Sequence, residues 1–461
     1  MRSTPEIDAR QGLEKLASYP FHVATWVDET GYPVSVAVEA RVDPATGTAR
    51  FSAPAGLAIP ANRDISLTGS HIRPQPGYGY DQRRHVTVWG PALVEAGQVT
   101  VRGSEAWGWD EAEVPFFEYS ERSVGKSRKY FDALSAERGT PVKPRLSFGF
   151  LTLRSTRLPF LTATLVPVVL GILIATRQGS FDLVSALLTI VGACFVHLGL
   201  NVSNDVFDTI QGADDANVTP TQFSGGSRVI QYGLVSLRQM AALSTAFYLL
   251  AGLIGLVLLA TRGSTALLII GVVGIVVSLG YTAPPLKFVY RGLGEIAVAL
   301  GFGPFMLVGA YVVQTGGTLS WEPFVASIPV ALLVALILYV NEIPDRRGDA
   351  HAGKRTLPVR FSRRAVITGY NVAAAGAYVA LVVAVGLGVL PLPALLMLVT
   401  IPLAQQVSRG LEPNYDNPYG LMAVMGVNVK LHLAAGVALL AGYAIVLVAG
   451  AVAPGVDLFL G

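Results

Sequence analysis

Nine apolar stretches dominate the last two thirds of the chain, at about residues 158–176, 183–200, 240–261, 265–282, 294–314, 323–340, 366–390, 391–407 and 432–453. Each has 17 or more residues, and a helix needs roughly 20 to cross the hydrocarbon core of a bilayer. Backbone polar groups in that core must be satisfied within the segment, so the pattern predicts an all-α membrane bundle of nine transmembrane helices. Two of the spans abut at Pro391 and Pro393 with almost no loop. Charge is distributed unevenly: residues 1–150 hold 17 of the 34 Lys and Arg and 18 of the 31 Asp and Glu. A soluble domain therefore precedes the bundle. At 52% hydrophobic and 14% charged, the 461-residue chain does not fit an ordinary water-soluble protein. A net charge of +3 gives no ground for a nucleic-acid partner, and the single cysteine, Cys194, excludes an intrachain disulfide. The first twenty residues carry Arg2, Glu6, Asp8, Arg10, Glu14 and Lys15 without an apolar core, so no signal peptide is expected.

Loop charges orient the spans. With the N-terminus in the cytoplasm, thirteen Lys and Arg fall in inside loops, among them Arg228, Lys287, Lys354 and Arg355, against Arg177 and Arg262 outside. That bias follows the positive-inside rule and predicts a multi-pass cell-membrane protein with its soluble domain on the cytoplasmic side.

The soluble part reads as mainly β. HVATWVDETGYPVSVAVEARVDPATGTARFSA (22–53) alternates β-branched and aromatic residues with polar ones and breaks at turn-forming ETGYP and DPATG. DISLTGS (64–70) and RRHVTVWGPALVEAGQVTV (83–101) add strands, and 114–137 reads as a helix before the linker-like GTPVKP (139–144). Short strands with one or two helices predict a small barrel. The expected organisation is a domain over 1–145, a linker over 146–157 and the bundle over 158–455.

The apolar run LVSALLTIVGACFVHLGL (183–200) ends abruptly in NVSNDVFDTIQGADD (201–215). On a helix Asn201, Asn204, Asp205 and Asp208 share one face. The sixth span ends the same way, in YVNEIPDRRGDAHAGKRTLPVR (339–360), where Asn341, Asp345 and Asp349 recur every four residues. One polar cluster at a helix end is ordinarily a solvated loop, but acidic groups at a membrane boundary tend to face a cavity. Two matched sets of carboxylates and amides suit Mg²⁺, which takes hard oxygen ligands and keeps room for phosphate. Arg228, Lys287, Lys354 and Arg355 supply cations for an anionic substrate group.

These two motifs resemble the aspartate-rich motifs of the UbiA superfamily of intramembrane aromatic prenyltransferases. The spacing N-x-x-N-D-x-x-D, with SGGSRVIQYGLVS (224–236) and GYTAPPLKFVYRGLGE (280–295), is most similar to its 1,4-dihydroxy-2-naphthoate branch. The similarity covers about 155–455. One departure is Gly212, where many members carry another Asp four residues after the Asp208 position; Asp214 or Asp215 can substitute. The resemblance implies Mg²⁺-dependent transfer of a polyprenyl group from a polyprenyl diphosphate to an aromatic acid, with attack accompanying loss of the acceptor's carboxylate. Asn201, Asn204, Asp205, Asp208, Asn341, Asp345 and Asp349 would hold metal, and Arg228, Lys287, Lys354 and Arg355 the diphosphate. Asp205, Asp208, Asp345, Asp349 and Tyr281 would be catalytic. Tyr290 is a further neighbour of the acceptor, and His197 reads either as an orienting group or as a buried structural histidine. A 4-hydroxybenzoate acceptor, a transporter and a membrane-tethered flavoprotein remain alternatives.

Residues 12–135 resemble the FMN-binding split barrel of the pyridoxamine-phosphate-oxidase-like superfamily, on VATWVDETGYPVSVAVEA, ARFSAPAGLAIPANRDISLTGSH (49–71) and RRHVTVWGPALVE. Members that bind FMN typically have a basic residue after the strand near Ser52; here PAGLAIPAN is neutral and Arg50 and Arg63 are the nearest cations. The resemblance implies either an FMN site built on Arg50, Ser52 and Arg63, or a non-binding module for docking or homodimerisation.

Overall fold

The computed structural model describes residues 7–28, 32–59, 63–74, 80–143, 146–453 and 458–460. Its N-terminal part opens with α1 (Ala9–Leu16), capped by the Asp8 carboxylate on Gln11 N at 2.7 Å. Eight strands follow: β1 (His22–Val27), β2 (Pro33–Val38), β3 (Arg41–Asp43), β4 (Thr48–Ser52), β5 (Asp64–Pro74), β6 (Tyr80–Glu95), β7 (Gln98–Arg102) and β8 (Glu105–Asp110). They form one antiparallel sheet in the order β2-β1-β5-β6-β7-β4-β3, with β8 also pairing β6. The long β6 makes this possible. Its residues 84–89 pair β8 while 92–95 pair β7. The handover falls at Gly90, where a Cβ would stand 1.9 Å from the Arg102 carbonyl oxygen. Alternate strand residues point inward, so Trp26, Phe51, Ile65, Leu67, Val86, Val88, Val99 and Val101 build one core with Leu13 and Leu16 of α1. Each fully buried aliphatic or aromatic side chain contributes roughly 1.5–3 kcal/mol. The predicted strands and the helix α2 (Phe116–Arg138) are present, and β8 and α1 are additional. The expected turn at 29–33 and linker at 139–144 lie partly outside the described residues.

The chain divides into two compact units, 1–127 and 128–461, the division falling within α2. The second unit is helical. It comprises α3 (Phe148–Thr156), α4 (Thr162–Arg177), α5 (Leu183–Ile210), the single turn α6 (Ala213–Ala216), α7 (Leu237–Arg262), α8 (Thr265–Gly280), α9 (Gly294–Leu300), α10 (Met306–Thr315), α11 (Trp321–His351), α12 (Leu357–Arg360), α13 (Arg363–Gly386), α14 (Ile401–Asn414) and α15 (Pro418–Val452). A π-helical segment, Gly301–Phe305, joins α9 to α10, and 3₁₀ turns at Leu158–Leu161 and Leu392–Thr400 lead into α4 and α14. Among the described residues seven helical segments are long and apolar enough to cross a membrane; α4 and α8, at 16 residues each, are shorter. All nine coincide with the predicted apolar stretches. A core built by α4, α10, α11, α13 and α15 includes Leu170, Leu307, Tyr311, Val340, Tyr370, Leu381, Leu439 and Tyr443.

Two helices outrun their apolar stretches. α5 continues through Asn201–Asp208, and α11 continues through Asn341–Asp349 despite Pro344. Both polar motifs are thus helical, as the spacings predict.

Candidate active site

The faces of α5 and α11 that carry the two motifs meet at one cavity of about 160 Å³. Asn201, Asn204, Asp208, Asn341, Asp345, Asp349, Tyr281 and Lys354 all line it. Asp205 lies alongside, 1% exposed. The four motif aspartates already have donors or a cation beside them. Arg157 Nη2 donates to Asp205 at 2.9 Å and the Ser227 amide at 3.1 Å. Asp208 accepts from the Tyr290 hydroxyl at 2.9 Å and Lys354 Nζ at 3.1 Å. Asp345 accepts from Asn217 Nδ2 at 2.7 Å and the Gly225 amide at 2.8 Å. Lys354 also reaches Asp349 at 3.8 Å. Burial alone would lower the Lys354 ammonium pKa, but Asp208 and Asp349 outweigh it and hold that pKa well above its ordinary value.

The loop after α6 closes one wall. Gly225 and Gly226 both have φ near +77°, which turns the Gly225 amide toward Asp345. A Cβ at Gly226 would stand 2.8 Å from both Asp214 carboxylate oxygens, so only glycine lets this loop approach. Asp214 is 5% exposed; burial, then Asp205 and Asp208, push its pKa well above the usual carboxylate range.

A second cavity of about 760 Å³ adjoins the first and is lined almost wholly by apolar residues of α5, α7, α8, α9 and α10. His197, Leu200, Tyr281, Val298 and Phe302 line both. His197 is fixed there, its Nδ1 2.6 Å from the Thr164 hydroxyl and its ring edge-on to Phe302 at 4.9 Å.

Not every predicted cation lines the polar cavity. Lys354 does; Arg228 is buried and donates to the Asp214 carbonyl, Lys287 lies over the Tyr290 ring at 5.4 Å, and Arg355 is exposed. Three contributors stand outside the predicted set: Arg157, Asn217 and Glu342. A basic residue just ahead of the first span was the only signal for Arg157.

The donor set fits Mg²⁺ in chemistry: carboxylate and amide oxygens, with Asn341 Oδ1 and Asp214 Oδ2 buried and lacking a hydrogen-bond partner among the described residues. In this conformation no three His, Cys, Asp or Glu of the described residues are grouped closely enough to hold a metal. Lys354 and Arg157 stand among the acids instead. In the first unit Arg50, Ser52 and Arg63 are all exposed, and Ser52 Oγ accepts from Gln98 Nε2 at 3.0 Å. An FMN site at these three residues has no support in this arrangement.

A polar, cation-bearing chamber adjoins a large apolar one inside the helical bundle, an arrangement that suits an enzyme site. The sequence profile of the UbiA prenyltransferase family matches residues 164–425. The chain belongs to that family and is a prenyltransferase, which selects this reading over the transporter and the tethered flavoprotein. It is 28% identical over 298 residues to the 2-carboxy-1,4-naphthoquinone phytyltransferase of Synechocystis sp., covering 64% of this chain and 92% of that one. The 1,4-dihydroxy-2-naphthoate octaprenyltransferase of Bacillus subtilis is 26% identical over 289 residues, covering 62% and 90%. A UbiA homologue from Archaeoglobus fulgidus, solved with GPP and Mg²⁺, aligns over 63% of this chain and 99% of its own at 15% identity, with a TM-score of 0.46.

Proposed function

We propose that the protein transfers a polyprenyl group from an allylic diphosphate to 1,4-dihydroxy-2-naphthoate, in menaquinone-type quinone biosynthesis. The observation that carries the reaction is the junction of the two cavities, which separates an anionic head from an apolar tail at one point. The named activity of the Bacillus relative supports the acceptor, and the Synechocystis relative is named for a carboxylated naphthoquinone of the same ring system.

Mg²⁺, when bound, neutralises charge on the departing diphosphate. Asn201, Asn204, Asp205 and Asp208 on α5, with Asn341, Asp345 and Asp349 on α11, would hold it. Lys354 and Arg157 leave their carboxylate partners to bind diphosphate oxygens, which places fixed positive charge where negative charge develops. The tail lies among the α7 and α8 side chains, whose apolar walls keep water from the allylic carbon. Tyr281 and Phe302 border that carbon. A ring carbon of the acceptor bonds to it as the bond to the diphosphate oxygen breaks, and the acceptor's carboxylate leaves as CO₂.

All nine apolar helices cross the membrane in this reading, including α4 and α8. Residues 1–145 form a cytoplasmic domain that pairs with a second copy, and the bundle occupies 158–455 with its site on the same side. No flavin step is assigned to the sheet domain. The test is mass analysis of products from detergent-purified protein given Mg²⁺, geranylgeranyl diphosphate and a panel of aromatic acids. Decarboxylated prenyl-naphthoquinol is expected; prenylation of 4-hydroxybenzoate alone would overturn the acceptor, and no prenylated product the reaction.

A further inference from the structure

Glu342 stands apart from the hydrogen-bonded aspartates of the two motifs. Asp205, Asp208 and Asp345 each receive at least two hydrogen bonds. Glu342 lines the same cavity at 5% exposed, within hydrogen-bond reach of the Glu295 carboxyl, yet its oxygens receive no hydrogen bond from any amide, hydroxyl or cation among the described residues. Behind it, on the packed helix α9, Glu295 is 9% exposed and its Oε1 equally lacks such a donor. Buried carboxyl oxygens short of donors forfeit their hydration without replacing it, so such a pair is a place where a ligand's donors belong.

Depth identifies the ligand. At 1.5 Å per residue, Glu342 lies about 4.5 Å along α11 from Asp345 and about 10 Å from Asp349, farther from the helix end and nearer the apolar cavity. The Tyr281 hydroxyl is within electrostatic reach of both glutamates, and Tyr281 borders both cavities. This is the level at which head gives way to tail, and therefore where the two substrates meet. A prenyl diphosphate offers no donor there, since its reacting end is hydrocarbon and its head only accepts. A hydroxylated ring is the one reactant that carries O–H donors.

Resting on the prenyltransferase reading above, we propose that Glu342 binds the ring hydroxyls of the acceptor, with Glu295 as the residue that positions it. The carboxyl oxygens accept from hydroxyls set on the aromatic ring and so select a hydroxylated ring against one lacking them. A buried site built to bond a hydroxyl rejects the analogue without it by as much as about 10⁴-fold, because its polar groups are left unpaired.

The test uses the full chain in detergent. Equilibrium binding of 1,4-dihydroxy-2-naphthoate, read by its own fluorescence, and KM for both substrates are measured for wild type, Glu342→Gln, Glu295→Gln and Glu295→Asp. Glu342→Gln is expected to weaken acceptor binding and raise acceptor KM roughly tenfold or more. KM for geranylgeranyl diphosphate and the Mg²⁺ requirement should stay within about twofold. Glu295→Gln should produce a smaller rise that Glu295→Asp partly restores, and it carries the test should Glu342→Gln not accumulate. Binding of a non-hydrolysable geranylgeranyl thiodiphosphate confirms folded protein. Unchanged acceptor affinity in folded variants overturns the proposal, as does a shift in Mg²⁺ requirement in place of acceptor affinity. If wild type binds the naphthoate without turning it over, the prenyl-transfer reading fails, while the binding comparison still decides the role of Glu342.

Discussion

Replacing Lys354 with Met tests how the site is held together. Its ammonium lies 3.1 Å from Asp208 and 3.8 Å from Asp349, and the three side chains are 12%, 5% and 8% exposed. At an effective dielectric of about 20 the two attractions are worth about 5 and about 4 kcal/mol before desolvation is subtracted. Removing one partner of such a buried pair typically costs about 3–5 kcal/mol, because the other charge is left uncompensated. Methionine keeps most of the stem's packing, so the loss is electrostatic. Lys354→Met should lower the thermal unfolding midpoint in detergent by several degrees without Mg²⁺. Added Mg²⁺ should recover more of that loss in the variant than it adds to wild type. Turnover should fall about 10²–10³-fold, the scale for removing one fixed group that stabilises developing negative charge. Scanning calorimetry and a pyrophosphate-release assay read both quantities. An unchanged midpoint together with unchanged turnover would refute the reasoning.

Other consequences are independent of that variant. Asp205→Asn, Asp208→Asn, Asp345→Asn and Asp349→Asn should each lower turnover by orders of magnitude with the protein still inserted; full activity in any two would remove the two-cluster mechanism. In a Cys194→Ser background, a cysteine at exposed Thr318 should react with an impermeant reagent on sealed cells while one at exposed Ser362 is protected, and the reverse pattern would invert the topology. In the sheet domain the Arg83 hydrogen bonds at 3.1 and 2.5 Å, outweighing burial, hold Glu111 below its ordinary 4.5. Its contribution to stability is therefore present above that value and lost as pH falls through the folded one. Arg83→Gln should flatten this acid limb in tryptophan-monitored unfolding, and an identical limb would contradict the assignment. Residues 1–145 expressed alone should run as a dimer in light scattering, because Phe21, Tyr32, Ile72 and Leu93 are all at least half exposed; a monomer at high concentration would refute it.

The helical half was legible because bilayer physics leaves few choices: long apolar runs give helices, and their polar ends at spacings of three and four give a shared face. The meeting of Asp208 and Asp349 at one cavity followed from placing both helix ends on the same side. What the sequence hid was identity among cations. Arg228, Lys287, Lys354 and Arg355 look alike in a loop, and only the backbone path after α11 brings Lys354, rather than Arg355, against Asp208. Arg157 sits far from both motifs and enters the site because the start of the first span packs beside α5. Glu342 was readable as part of a motif but not as a group short of donors, since a missing hydrogen bond leaves no trace in sequence. In the sheet domain β8 escaped notice because EAWGWD lacks β-branched residues, and it is a strand through its pairing with β6.

The central claim is that the acidic ends of α5 and α11 hold divalent metal and diphosphate together. Anomalous diffraction from crystals grown with Mn²⁺ and a non-hydrolysable prenyl thiodiphosphate tests it most directly. The account predicts metal peaks about 2.0–2.2 Å from carboxylate oxygens of both helices, with sulfur or phosphorus density between them. Lys354 and Arg157 should have turned onto the diphosphate, and the tail should run into the apolar cavity. Metal bound at only one helix end, or a diphosphate held elsewhere with Lys354 still on Asp208, would contradict it.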